Sequence, residues 1–448
     1  MKKYFRISAA IAILASALFL SFKNEDKPVP EGLNKINHII VIYLENHSFD
    51  NLYGEFPGAN GLMNATNVIQ LDSAGMPFTY LPAIPGSKAF PLDLPNHYFN
   101  IDQYVPADMK IPDLVHRYYQ EQMQINGGRM DKFADISDSK GLTMGFYHTD
   151  LLPLAAEAKN YTLCDNMFHS VFGGSFLNHF WLIAARSPVF PNAPANDVAV
   201  LDANGQVIQD GFASPDGYVI NTSYSVNMPH PADNIRRPKD LIPSQKMPTI
   251  GDRLSKKKVS WAWYSGGWNN AIAGTPDRSF QFHHQPFVYF NHYTENTPGR
   301  AEHLKDELDF IDAAKAGTLP AVSFVKPIGF ENEHPGYTDV VTGEKHVIEL
   351  INAIRNGPDW DDCVIIITYD ENGGFWDHVA PPVIDRKWGP GTRVPGIIIS
   401  PFAKKGFIDH AQYETLSILS LIEKRWKLKP LNSRDRKANY FLNSLELE

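Results

Sequence analysis

The chain has 448 residues, 43% of them hydrophobic and 20% charged, with a formal net charge of -9. This balance excludes long disorder, and with no basic stripe against the acidic total it argues against a nucleic-acid partner. Two cysteines, Cys164 and Cys363, exclude a disulfide framework; one bridge in an oxidising compartment and two plain buried thiols both remain open.

In chain order, Met1 to Arg6 is basic, and Ile7 to Phe22 is an uninterrupted apolar and small-residue run. The pattern is that of a secretory signal peptide over residues 1–23, which implies a secreted or periplasmic protein with no stable membrane partner once the signal is removed. The small triplet Ala15-Ser16-Ala17 lies inside the apolar run, and no cysteine follows it to carry a lipid. An uncleaved N-terminal anchor is the alternative, although the run is short for a full span. Residues 24–33 read as a polar linker, and residues 34–448 as one large domain. Strands are predicted at Ile36–Leu44, Val259–Tyr264, Ala321–Val325, Val364–Tyr369 and Val394–Ile399. Apolar residues at helical spacing predict helices over Ala301–Ala316, Gly343–Asn356 and Tyr413–Trp426. Strands alternating with helices imply an α/β fold with a mostly parallel sheet. Residues 178–251, rich in Pro, Asn, Asp and Gly, read as a loop-rich insertion or cap over the site.

Two of the predicted strands end in acids. Asn37 to Leu44 runs into Glu45-Asn46-His47-Ser48-Phe49-Asp50, and Val364 to Tyr369 into Asp370-Glu371-Asn372-Gly373-Gly374, with Asp377 and His378 close behind. In open α/β sheets ligands bind at this edge. Glu45, Asn46, Asp370 and Glu371 together offer oxygen donors for one hard cation, whereas either end alone reads equally well as a helix N-cap. An all-oxygen set suits Ca²⁺, Mg²⁺ or Mn²⁺; a contributing histidine would admit Zn²⁺ or Fe.

Gly173-Gly174-Ser175 allows a sharp turn into a helix, so Ser175 stands at a helix N-terminus as a nucleophile or simply as the cap. The histidines His97, His283, His284, His334 and His378 lie in polar company, where a protonated ring can supply the proton that a leaving oxygen needs.

These segments resemble the bacterial phosphoesterase family that contains secreted acid phosphatases and phosphatidylcholine-type phospholipases C. The resemblance covers nearly the whole chain after the leader. It is carried by Glu45-Asn46-His47-Ser48-Phe49-Asp50, Gly173-Gly174-Ser175 with Asn178, Glu333-His334-Pro335, the run Tyr369 to Pro382, and Arg393 to Pro401. It implies an alkaline-phosphatase-like three-layer α/β/α sandwich and one divalent metal ion on Glu45, Asn46, Asp370 and Glu371. Ser175 is then the nucleophile, with His283, His334 and His378 in catalysis. Asn178, His97, His284 and Asp377 stand at the phosphate.

Phospholipase C members usually carry Gly-Pro-Thr followed by Pro-Asn-Arg where this chain has Gly-Gly-Ser175 and Leu177-Asn178-His179. That departure favours a broad acid phosphatase, working through a phosphoserine on small monoesters and active on the acid side of neutral. A phospholipase C is the alternative, with Trp261, Trp263, Trp268 and Phe287 either holding a headgroup or filling the core. A non-catalytic secreted binding protein is the remote one.

Overall fold

The computed structural model describes residues 31–66, 68–231 and 240–447. The expected signal peptide and most of the expected linker lie outside the described residues. Leu33, at the end of that linker, is buried and opens a short 3-10 turn, Leu33–Lys35. Among the described residues no helix is long and apolar enough to cross a membrane.

The core is an eight-stranded sheet. In chain order its strands are β1 (His38–Leu44), β2 (Thr162–Cys164), β3 (Trp261–Ser265), β4 (Leu304–Asp306), β5 (Val322–Lys326), β6 (Cys363–Tyr369), β7 (Gly396–Ile399) and β8 (Phe407–Asp409). Their spatial order is β8-β2-β7-β6-β1-β5-β3-β4. Only β7 runs against its neighbours β6 and β2; every other pairing is parallel. Residues Ile39 to Leu44 and Cys363 to Tyr369 are all buried, so the two central strands are covered on both faces. This is why they read as continuous apolar runs rather than alternating ones.

Helices supply the covering layers of the three-layer α/β/α sandwich. Those that matter below are α1 (Phe49–Tyr53), α2 (Tyr118–Ile125), α3 (Ser175–Ala184), α4 (Glu307–Ala316), α5 (Val340–Arg355) and α6 (Thr415–Trp426). α3 packs on α6, and α4 on α5. Every residue of α3 is buried. It is therefore a core helix, and the loop-rich excursion begins after it rather than at residue 178.

The helix predicted over Ala301–Ala316 is broken. Pro298–His303 is a short helix, Leu304–Asp306 is the edge strand β4, and α4 restarts at Glu307. Asp306 caps the restart, accepting from the Leu308 backbone, and Phe310 and Ala314 turn inward while Leu308 stays exposed. Tyr413–Glu414 is likewise a short strand ahead of α6. Strands β2, β4 and β8 were not predicted; at three residues each they carry too little pattern to detect. Cys164 and Cys363 are both buried free thiols. The aromatics Trp261, Trp263, Trp268 and Phe287 lie in the core at 2% exposure or less, which removes them as headgroup contacts.

Two acids are buried together beneath β6. Glu333 accepts from the Tyr369 hydroxyl at 2.5 Å, and Glu344 of α5 accepts from the Leu154 backbone at 2.8 Å. Burial raises the Glu344 pKa to about 8, and burial with the Glu344 charge raises that of Glu333 well above the ordinary value. A carboxyl raised on folding stabilises fully below its unfolded pKa, and that contribution is lost as pH rises towards 8. Glu344→Gln keeps the acceptor and removes the titration. Its melting temperature should match the parent at pH 5 and exceed it by a few degrees at pH 8.5; an equal difference at both pH values would rule this account out.

Candidate active site

The register of β1 with β6 pairs Leu44 with Tyr369, so Glu45 and Asp370 leave the sheet side by side. Glu45, Asp370 and the next residue, Glu371, are fully buried. Asp370 commits Oδ1 to the Glu371 backbone N–H at 2.8 Å, and Glu371 commits Oε2 to the Gly373 N–H at 2.6 Å. Of the remaining oxygens, Asp370 Oδ2, Glu371 Oε1 and Glu45 Oε2 accept no hydrogen bond, while Glu45 Oε1 faces Lys326 and His284. Buried carboxylate oxygens left in this way are a donor set suited to a hard divalent cation. Asn46 joins them, its Oδ1 accepting from the Ser175 hydroxyl at 3.4 Å. A second donor set shares Glu45: its carboxylate, His179 and His284 bring ligand atoms within 4.8 Å of one another.

The electrostatics agree with a cation requirement. Burial pushes the Asp370 pKa up to about 7, and burial with the Asp370 charge pushes Glu371 well above the ordinary range. Burial would raise Glu45 too, but His284 and Lys326 hold it well below. Nε2 of His284 lies 2.5 Å, and Nζ of Lys326 2.7 Å, from Glu45 Oε1.

Glycines close the site. Gly373, at φ 61, sits where a Cβ would lie 2.1 Å from the Asn46 carbonyl oxygen, so the two strand-end loops touch. Gly173, at φ 90, leaves 2.7 Å between such a Cβ and Tyr118. This lets the Ser175 turn pack on the segment that carries His116.

Ser175 opens α3 as expected and lines a cavity of about 380 Å³ with Glu45, His283, His284 and His334. Burial lowers His334, burial with the His284 charge lowers His283 well below its usual value, and burial brings His284 to about 4. For all three rings the shift runs against the protonated form expected from the sequence. His334 donates Nδ1–H to the Pro335 carbonyl, leaving Nε2 3.8 Å from Glu45 Oε2.

Four expected phosphate or catalytic residues lie elsewhere. His97 rests on the Tyr98 ring, with Nδ1 3.2 Å from the Tyr98 carbonyl, and does not line the cavity. Asp377 is paired with Arg393 at 2.8 Å and accepts from the Asp50 N–H. His378 is paired with Asp50 at 2.6 Å; burial opposes its charge, but Asp50 raises its pKa. These two belong to a buried network around Arg393 that anchors the start of α1. Asn178 sits beneath the nucleophile turn. Its Nδ2 donates to the carbonyls of Val171, Gly173 and Gly174, and its Oδ1 accepts from the Val171 N–H, so no donor is left for a phosphate. Glu121 of α2 grips the same turn from the other side, accepting from the Gly173 N–H at 2.6 Å while paired with His169 at 2.8 Å.

Three residues were missed. His116 lines the cavity with Nε2 3.4 Å from Asn46 Nδ2 and 3.9 Å from Glu371 Oε1, while its Nδ1–H goes to the Leu114 carbonyl. It lies in a loop with no periodic signal. His179 stacks on His284 with ring centroids 5.1 Å apart. Lys326 ends β5, and the strand-end rule that picked out Glu45 and Asp370 applies to it equally.

The model of the Phosphoesterase family matches residues 36–429. This chain belongs to the phosphoesterase family. It is 24% identical to phospholipase C B of Mycobacterium tuberculosis, over 89% of this chain and 75% of that protein. It is 27% identical to non-specific phospholipase C1 of Arabidopsis thaliana, over 96% and 74%. Non-hemolytic phospholipase C of Pseudomonas aeruginosa is 23% identical over 88% of the chain but only 54% of its own length. Among solved structures, an alkaline phosphatase superfamily protein from Vibrio parahaemolyticus aligns with a TM-score of 0.37 and 8% identity, over 76% of this phosphoesterase and 74% of that chain. The phosphoesterase is accordingly a hydrolase of phosphoric esters.

Asn178→Asp should replace the donated hydrogen bonds by repulsion against three carbonyls and misplace the Ser175 turn. We expect kcat on a soluble aryl phosphate ester to fall about a hundredfold with KM nearly unchanged. A raised KM at preserved kcat would instead make Asn178 a phosphate donor.

Proposed function

We propose that this phosphoesterase is a metal-assisted phosphodiesterase of the phospholipase C type, with Ser175 as nucleophile. The observation that carries the reading is the wall of the Ser175 cavity. Besides Glu45, the histidines and the nucleophile turn, it includes Asp113, Asp138, Tyr224 and Tyr337, a combination of acid and aromatic surface, with Arg117 among them. Such a wall suits a cationic alcohol on the phosphate and repels a small dianionic monoester. Tyr224 comes from the loop-rich excursion, which fits a cap that shapes the headgroup side. The names of the relatives point the same way.

A divalent ion on Glu45, Asn46, Asp370 and Glu371 would polarise a phosphate oxygen and acidify the Ser175 hydroxyl. The chain's own residues do the rest. Glu121 and Asn178 fix the turn that aims Ser175 Oγ. Attack forms the Ser175 Oγ–P bond and breaks the bond to the glycerol oxygen, which takes up a proton. Water then releases the phosphorylated headgroup and restores Ser175. His116 and His334 both spend Nδ1–H on backbone carbonyls, so a hydrogen bond from Nε2 to a phosphate oxygen requires a second proton on the ring. His283 lines the same cavity.

A broad phosphomonoesterase is the second reading, favoured by Gly-Gly-Ser175 and Leu177-Asn178-His179 in place of the usual phospholipase C residues. Hydrolysis of an aryl phosphocholine and of the matching aryl phosphate, each with and without chelator, separates the two. The first reading expects turnover of the phosphocholine ester at least tenfold above the monoester, abolished by chelator and by Ser175→Ala. Preference for the monoester establishes the second, and turnover that survives Ser175→Ala removes the nucleophile from both.

A further inference from the structure

We infer that Lys326 is a resident cation built into the catalytic centre, and that it limits the centre to a single divalent ion. The inference rests on reading Glu45, Asp370 and Glu371 as a metal cluster. Lys326 is the last residue of β5, next to β1, and its side chain is fully buried. Nζ lies 2.7 Å from Glu45 Oε1 and 3.9 Å from Asp370 Oδ2. It also donates to the Leu44 carbonyl at 3.3 Å and stands over the Tyr43 ring, 5.2 Å from its centroid. The ammonium is thus held by groups from the ends of β1 and β6, the two strands that supply the carboxylates.

Burying an ammonium at the end of a core strand is costly unless it is paired. Here the pairing is to the carboxylates themselves. Three acids and one ammonium leave two negative charges, which one divalent ion cancels. A second divalent ion would meet a centre already neutralised, with the Lys326 ammonium beside the one carboxylate, Glu45, that both donor sets share. Lys326 does not line the Ser175 cavity. It is therefore a positioning residue: it holds Glu45 by Oε1 and leaves Oε2 towards His334, 3.8 Å away.

The test is calorimetric titration of metal-stripped protein with Mn²⁺ alone, for the parent chain, Lys326→Met and Lys326→Gln. The parent should bind one ion per chain. Removing the positive charge should tighten that binding by about tenfold or more and add a second, weaker equivalent. A merely structural role would loosen binding, so tightening is diagnostic. Two ions in the parent overturn the inference without any variant. One ion in the parent with unchanged or weakened binding in both folded variants, judged by circular dichroism, overturns it while leaving the metal reading intact. No Mn²⁺ binding by the parent defeats the metal reading and the inference together.

Discussion

Three buried carboxylates crowd the ends of two neighbouring strands, and most of the molecule's centre is arranged around their mutual repulsion. The crowding is a consequence of register: once Leu44 pairs with Tyr369, Glu45 and Asp370 have no choice but to emerge together. Burial and proximity push Asp370 and Glu371 towards their neutral forms. Backbone N–H groups satisfy one oxygen of each, and Lys326 and His284 approach Glu45. Glu45 and the Ser175 hydroxyl line one cavity, which makes the sheet edge a place for chemistry on a negatively charged ester.

The nucleophile depends on a different kind of support. Its turn carries no charge; it is fastened from below by the Asn178 amide and from outside by the Glu121 carboxylate. Burial works against the Glu121 charge, but His169 and the backbone N–H groups of Gly173 and Thr392 hold its pKa down. Acid residues close to one another thus serve opposite purposes. Glu121 is saturated with donors and acts as a rivet, whereas Glu45, Asp370 and Glu371 keep oxygens free.

The apolar strands were legible because full burial on both faces leaves a continuous run of β-branched residues, and the acids at their ends were legible by position. The three-residue strands were not, since their pairing comes from tertiary packing rather than pattern. Among the site residues, Ser175, His283, His284 and His334 come together as expected. His97, Asp377 and His378 do not, because nearness to a motif in sequence says nothing about which side of a strand end a loop takes. Asp377 and His378 follow the acids by a few residues, yet the chain turns at Gly373 and Gly374 and delivers them to Arg393. His116 was invisible for the converse reason: it reaches the site through close loop packing that only the glycines opposite it permit. Asn178 was recognised as important but for the wrong partner, the turn backbone rather than a phosphate.

The central pairing also dictates when the protein can work. His38 opens β1, but its partner across the ladder is Cys363, and the other neighbour of β1 begins at Val322. An emerging chain therefore carries its first strand unpaired through most of its synthesis, an apolar ribbon with open hydrogen-bonding edges on both sides. Contacts this distant along the chain form slowly, because a long loop must close before they stabilise anything. The carboxylates meet only when that closure is complete. Catalytic competence and completion of the core are one event, and a partly folded chain has no half-built centre with which to act on the wrong ester.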